Sequence, residues 1–144
     1  LDKRSIDYLA WSVYALSKAR HGTVVLIAED ETALESLRMG SVGGRDPLSR
    51  ALIRHARGTK IGTLKRSGEL SRILSSDGLT VINRQGELLD TGVIIDTSRV
   101  RDLVTGGGRT TAATAASYFG MVVKVSEDGP VELFQDGHSI YRFG

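Results

Sequence analysis

The residues best suited to chemistry lie on a glycine turn at positions 106–109, directly before an alanine-rich segment. Successive glycines adopt backbone angles that are closed to other residues, so neighbouring N–H groups can converge on one anion. A helix beginning at Arg109 would add its dipole and its unpaired N–H groups. Arg109, Thr110 and Thr111 add a guanidinium and two hydroxyls at the same place. The combination indicates a phosphate site, although a flexible loop before a helix has the same composition.

Two acidic residues elsewhere in the chain could serve such a site. Asp77 precedes Gly78 between a predicted helix and a predicted strand, where a carboxylate can hold a divalent cation or activate a hydroxyl. Glu127 ends another predicted strand and offers a second carboxylate for the metal that accompanies a triphosphate. In isolation, each is more typical of an ordinary turn residue. The glycine turn is not a Walker A loop, because no lysine precedes Thr110.

The composition predicts one globular α/β domain over residues 1–144, which we expect to be excised from a longer protein. No cysteine is present, so disulfides and thiolate metal sites are excluded. No apolar run reaches the ~20 residues that cross a bilayer, and we therefore expect no membrane segment and a cytoplasmic location. The net charge is only +2 and no basic run contains interleaved aromatics, so nucleic acid is not an expected partner.

Glycines at the ends of segments, together with the spacing of apolar residues, predict the helices and strands that must position these residues. A first helix carries Ile6, Leu9, Ala10, Val13 and Leu16 on its buried face and ends at Gly22, with Tyr8, Trp11 and Tyr14 as packing residues. Further helices are predicted at 31–39, 47–56 (with Asp46 as N-cap), 67–75 and 109–119, and strands at 23–28, 79–82, 87–95, 121–126, 131–134 and 139–143. Helices mixed with hairpin-connected strands predict a mixed central β-sheet flanked by helices.

In their order and intervals, these elements resemble the diadenylate cyclase domain, a nucleotide-binding domain that makes cyclic di-AMP. The resemblance runs from about Leu9 to Phe143. The strand at 22–27 looks like the family's first strand, and residues 76–82 are similar to its Asp-Gly-Ala motif and following strand. Residues 107–113 stand where the family has Gly-Thr-Arg-His-Arg and then small residues, and residues 125–129 resemble its Val-Ser-Glu strand end.

The resemblance implies a homo-oligomer in which two domains face each other, each holding one ATP with Mg²⁺ or Mn²⁺. The 3′-hydroxyl of each ATP attacks the α-phosphate of the other, and pyrophosphate leaves twice. By matched position, Asp77 and Arg109 would be catalytic, with Asp77 and Glu127 as metal contacts. The implied nucleotide-binding residues are Gly78, Leu79, Gly107, Gly108, Arg109, Thr110 and Thr111.

The chain departs from the family's pattern at three of these positions. Thr110 and Thr111 replace a histidine and an arginine, and Leu79 replaces an alanine. Loss of a cation beside a transferring phosphoryl group would remove a few kcal/mol of transition-state stabilisation, by analogy with other electrostatic donors. Leucine would narrow the nucleotide site. The alternatives are therefore a catalytically inactive nucleotide sensor on the same fold, or an unrelated α/β domain whose glycine turn is only a loop.

Overall fold

The computed structural model describes residues 1–30, 32, 35, 38–41, 47–66, 68–75 and 78–144, and only the backbone of residues 38–41, 48–50 and 66. Two predicted features lie outside the described residues: the N-cap Asp46 and the candidate catalytic residue Asp77. The described residues contain no helix that is long and apolar enough to cross a membrane.

The strands form one seven-stranded sheet in the order β2-β4-β3-β1-β5-β6-β7. They are β1 (Thr23–Ala28), β2 (Arg38–Ser41), β3 (Leu79–Asn83), β4 (Leu88–Ile95), β5 (Gly120–Val125), β6 (Val131–Gln135) and β7 (His138–Phe143). Strand β1 pairs in parallel with β3, whereas the other neighbouring strands pair antiparallel. The predicted mixed sheet is confirmed.

Helices cover both faces of this sheet. Those with defined bounds are α1 (Lys3–Lys18), α2 (Pro47–Ala56), α3 (Ile61–Arg66), α4 (Glu69–Leu74) and α5 (Gly108–Ala116), with short 3-10 turns at Arg101–Leu103 and Ser117–Phe119. Alternation along β1 separates two cores: Val25 packs with α1 to α4, whereas Val24 and Leu26 pack with α5. Because β1 is central and buried on both faces, its sequence is almost continuously apolar. The predicted flanking helices are likewise confirmed.

The buried face of α1 differs in part from the predicted one. Leu9, Val13 and Leu16 are buried as expected, but Ile6 is 50% exposed and Ser12 is fully buried. A buried serine is tolerated here because its hydroxyl donates to the Tyr8 carbonyl at 2.9 Å. The spacing of apolar residues does not predict a buried serine, because the hydrogen bond that makes its burial possible lies within the helix.

The aromatic residues of α1 do not all pack inside. Tyr8 lies against Gly62, where an added Cβ would come within 2.6 Å of the ring. Trp11 and Tyr14 are 54% and 62% exposed, so the packing prediction is wrong for these two residues. The ammonium of Lys65 lies 4.3 Å from the Trp11 ring centroid, an arrangement that keeps one side of an exposed ring covered.

The helix predicted at 31–39 is wrong at its carboxyl end. Thr32 and Glu35 are helical, but Arg38 and Met39 belong to β2, which pairs with β4 at the edge of the sheet. Backbone hydrogen bonds to β4 come from residues more than fifty positions away, so local helical spacing does not reveal them. The short helix α3 was not predicted either, because its six residues offer little periodicity.

Gly120 is the glycine on which the contact between β5 and β1 depends. Its φ is +155°, and an added Cβ would overlap the carbonyl oxygen of Ile27. We expect Gly120→Ala to lower the free energy of unfolding by about 2–3 kcal/mol, measured by chemical denaturation. Gly108→Ala is the matched control, because a Cβ at that helical position meets nothing within 4 Å. Equal effects of the two substitutions would contradict this account of the strand contact.

Candidate functional site

A cleft of about 440 Å³ opens where the first turn of α5 meets one edge of the sheet. The amino ends of β1 and β3 and the carboxyl end of β4 form its floor, through residues such as Val24 and Ile95. Four of the predicted site residues line it: Gly78, Leu79, Gly108 and Arg109. This volume lies in the range of small-molecule sites. The fold therefore brings two separate sequence motifs to one concave surface.

The first turn of α5 presents backbone amides that have no hydrogen-bond partner among the described residues. Its N-cap, Gly107, supplies no side-chain cap, and its carbonyl accepts from the Thr111 amide at 3.1 Å. Within the described part of the chain, the amides of Gly108, Arg109 and Thr110 have no acceptor. Unpaired amides at a helix start carry the positive end of the helix dipole. The first turn of α5 can therefore donate hydrogen bonds to an anion.

Nothing in the described part of the chain requires a glycine at position 107. Its backbone angles, φ −81° and ψ −175°, are open to any residue, and an added Cβ would meet nothing within 4 Å. Gly106 differs, because its φ is +148° and it packs against Thr110. A glycine that neither the backbone angles nor the packing requires is consistent with close approach of a ligand to the chain.

The guanidinium of Arg109 is held between a carboxylate and a glycine. Its Nη1 atom lies 3.0 Å from Oε1 of Glu127. The same group lies against Gly22, where an added Cβ would be 2.5 Å from the Arg109 Cζ atom. The structure therefore joins the predicted phosphate ligand and a predicted metal ligand in one ion pair. The two side chains are 39% and 69% exposed, so water screens their attraction.

Gly78 and Leu79 form part of the cleft in different ways. Gly78 has φ +89° and lies against the backbone of Gly92, whose carbonyl carbon would be 2.7 Å from an added Cβ. A side chain at this position would therefore push β3 and β4 apart. Leu79 is 2% exposed and belongs to the core beneath α5. It contributes to the floor of the cleft and packs with the sheet.

The two threonines of the turn lie outside the cleft lining, and their hydroxyls have protein partners. Thr111 donates to the Gly107 carbonyl at 3.1 Å. The Thr110 hydroxyl oxygen accepts from Lys124 Nζ at 2.8 Å. Lys124 is 8% exposed and its ammonium also lies 3.4 Å from Glu132. Lys124 was not among the residues predicted for the site, although a lysine between two valines of a buried strand is a visible signal in the sequence.

The candidate metal ligands are only partly described. Asp77 lies outside the described residues, so its catalytic and metal-binding roles stay predictions. Among the described residues, no group of three or more His, Asp or Glu side chains could hold a metal ion. Glu127 supplies an exposed carboxylate at the edge of the cleft beside Arg109. Mg²⁺ commonly uses one or two carboxylates together with substrate phosphates, and the Glu127 carboxylate is a donor of that type.

The architecture is similar to two solved structures. A cysteine double mutant of DacA from Staphylococcus aureus matches with a TM-score of 0.66 and 20% identity, over 97% of this chain and 86% of that chain. The chain shares the fold of DacA. A hypothetical membrane spanning protein from Bacillus cereus matches with a TM-score of 0.67 and 18% identity, over 97% of this chain. This chain spans 63% of the Bacillus cereus chain, less than two thirds of its length.

Comparison of the sequence itself gave no match, either to a protein-family model or to a curated protein. Agreement with DacA at 20% identity shows a common fold. The sequence resemblance to the diadenylate cyclase domain and the structural similarity to DacA are separate observations, and both concern nearly the whole chain.

The ion pair between Arg109 and Glu127 should contribute little to stability, because both side chains are substantially exposed. We expect Glu127→Gln to change the free energy of unfolding by less than about 1 kcal/mol, measured by chemical denaturation at low salt. The matched comparison is Glu132→Gln, which removes the carboxylate charge from the partly buried pair with Lys124 and should cost more. A larger loss for Glu127→Gln would mean that Arg109 is fixed by the fold and is not free to bind a ligand.

Proposed function

We propose that the cleft binds ATP and that the domain condenses two ATP molecules into cyclic di-AMP, releasing two pyrophosphates. The observation that carries the proposal is a set of three amides, those of Gly108, Arg109 and Thr110, for which the described residues supply no acceptor, at the edge of a cleft of about 440 Å³. The fold shared with DacA and the resemblance of residues 76–82 and 107–113 to the cyclase motifs support the same function.

The triphosphate would bind where the helix start and the guanidinium act together. Its oxygens would accept from the free amides of α5, and Arg109 would exchange Glu127 for a phosphate oxygen. Charge-assisted hydrogen bonds from guanidinium to phosphate are stronger than neutral ones. The exposed ion pair is weak, so the exchange costs little. Phosphate binding would also free the Glu127 carboxylate.

The reaction needs two chains that face each other. In each half, the 3′-hydroxyl of one ATP attacks the α-phosphate of the other, forming a P–O ester bond while the bond to pyrophosphate breaks. The hydroxyl proton leaves, with Asp77 as the proposed acceptor. Asp77 and the released Glu127 would hold Mg²⁺ or Mn²⁺, which neutralises phosphate charge when bound. The free amides of α5 would stabilise the phosphates as charge moves onto the leaving group.

The second candidate is a nucleotide sensor without catalysis. It is favoured by the state of Thr110 and Thr111, whose hydroxyls already have protein partners and which supply no cation. Arg109 is then the only arginine of the turn at 106–111. A site with strong phosphate binding but too little charge stabilisation in the transition state would bind ATP and form no detectable product.

Product formation separates the two candidates. We expect the wild-type chain, incubated with ATP and Mn²⁺ or Mg²⁺, to form cyclic di-AMP detectable by mass spectrometry, and Asp77→Asn to form none. ATP binding by calorimetry without product would support the sensor. Neither binding nor product would contradict both candidates.

Arg109→Ala should weaken binding of ATP by at least about tenfold, because a charge-assisted hydrogen bond to phosphate is lost. Adenosine lacks the phosphates, so its affinity should not change. Arg142→Ala is the matched control: it removes an exposed arginine on β7, outside the cleft lining. Equal losses for ATP and adenosine in Arg109→Ala would count against the phosphate role, as would equal losses of ATP affinity in the two variants.

Gly107→Ala tests whether a ligand approaches the turn closely. The fold has room for the methyl group, so the free energy of unfolding should stay within about 0.5 kcal/mol of wild type. We expect the affinity for ATP to fall several-fold nevertheless, because the methyl would stand beside the amides that bind phosphate. Unchanged stability together with unchanged ATP affinity would show that no ligand approaches Gly107.

A further inference from the structure

We infer that Lys124 is a positioning residue for the phosphate site, acting through the Thr110 hydroxyl on the first turn of α5. The inference rests on the proposed function and identifies a residue of that site that the sequence motifs do not contain. Lys124 Nζ donates to Thr110 Oγ1 at 2.8 Å, and the ammonium also lies 3.4 Å from Glu132 Oε1. These contacts join the helix start to two neighbouring strands, β5 and β6.

Stability alone is a poor explanation for a lysine at this position. Its partner across the sheet is Val24 on β1, and Val122 two residues earlier packs into the same core beneath α5. Lys124 is 8% exposed, so its charge loses most of its hydration. A buried ion pair is often no more stable than well-packed apolar residues. Valine or leucine would suit this core, so the lysine calls for another role.

The role that the contacts indicate is to fix the helix start. Thr110 is joined to the sheet through Lys124, while Thr111 bonds back to the Gly107 carbonyl. The first turn is therefore fixed by two contacts, one from Lys124 of the sheet and one within its own turn. The amides of Gly108 and Arg109, which have no acceptor within the described residues, keep one orientation as a result. Fixed donors bind an anion more strongly than donors that must be ordered first.

Glu132 keeps the lysine in place from the other side. Its Oε1 atom faces Lys124, and its Oε2 atom accepts from the Ser139 hydroxyl at 2.9 Å. Both carboxylate oxygens thus have a partner, which limits the cost of burying the pair. The Lys124 ammonium has three N–H donors, so it can donate one hydrogen bond to Thr110 while it stays paired with Glu132.

The test compares affinities for magnesium inorganic triphosphate and for adenosine in variants of this contact. Lys124→Met and Thr110→Val should each lower triphosphate affinity about tenfold, the usual lower scale for loss of a group that orients a binding residue. Adenosine affinity should change less than about twofold. The double variant should be no weaker than the weaker single variant, because both substitutions remove the same contact. Thr110→Ser keeps the hydroxyl and should bind triphosphate like wild type.

Three patterns would overturn the inference while leaving the proposed function intact. A loss in Lys124→Met but not in Thr110→Val would mean that Lys124 acts without Thr110. A loss only in Thr110→Val would mean that the threonine contacts phosphate itself. Additive losses would mean that the residues act independently. If the wild-type chain binds no triphosphate, the proposed function and this inference both fail.

Folding is followed by thermal unfolding of each variant. Lys124→Met leaves Glu132 without its cation and could unfold the chain, but Thr110→Val leaves the Lys124–Glu132 pair intact. If Lys124→Met does not fold, the double variant Lys124→Met/Glu132→Met takes its place, because it removes both charges of the pair together. It should bind triphosphate about tenfold more weakly than wild type, whereas a direct phosphate contact by Thr110 predicts normal affinity as long as the hydroxyl remains, whatever stands at 124. Lys124→Arg keeps a donor for Thr110 and should retain triphosphate affinity. Loss of affinity in Lys124→Arg, with the fold intact, would also overturn the inference.

Discussion

The close packing of α5 on β1 and β5 is the constraint on which the site depends. Ala113 and Ala116 are fully buried at this contact, and Gly120 turns the chain back into β5 without room for a side chain beside Ile27. Small residues allow the helix to lie near the sheet, so its first turn reaches the edge where β1 and β3 begin. Larger side chains would lift α5 and separate its amides from the floor of the cleft. The alanine-rich composition thus belongs to the geometry of the site as much as to helix propensity.

Charge around the first turn is arranged in two layers. On the solvent side, Arg109 is paired with Glu127 in contact with water, where ion pairs are weak and exchange partners readily. On the buried side, Lys124 and Glu132 form a pair that water screens much less and that stays in place. The first layer can therefore respond to an anion while the second holds the helix start. This division accounts for the position of both pairs at the same end of the sheet.

Much of the fold could be predicted from local sequence, and the failures have nonlocal causes. The β-branched run at 23–28 predicted β1 with its observed bounds, and glycines marked the ends of several helices. The glycine turn at 106–109 leads into a helix, as expected. The edge strand β2 depends on pairing with β4, which no local pattern encodes. The face of α1 includes a buried serine, Ser12, whose hydroxyl donates to the Tyr8 carbonyl of the same helix. For the site, motif order brought Gly78, Leu79, Gly108 and Arg109 together, but the contact between Lys124 and Thr110 arises only when α5 packs on β5. The role of Asp77 stays a prediction, because this residue lies outside the described part of the chain.

The central claim is that the backbone amides at the start of α5 bind the phosphates of a nucleotide. It is tested most directly by a crystal structure of the chain with Mg²⁺ and an ATP analogue that cannot be cleaved between its α- and β-phosphates. The account predicts phosphate oxygens about 3 Å from the amide nitrogens of Gly108 and Arg109, with the Arg109 guanidinium turned from Glu127 towards them. A nucleotide bound elsewhere on the chain, or phosphates that leave these amides to water, would contradict it.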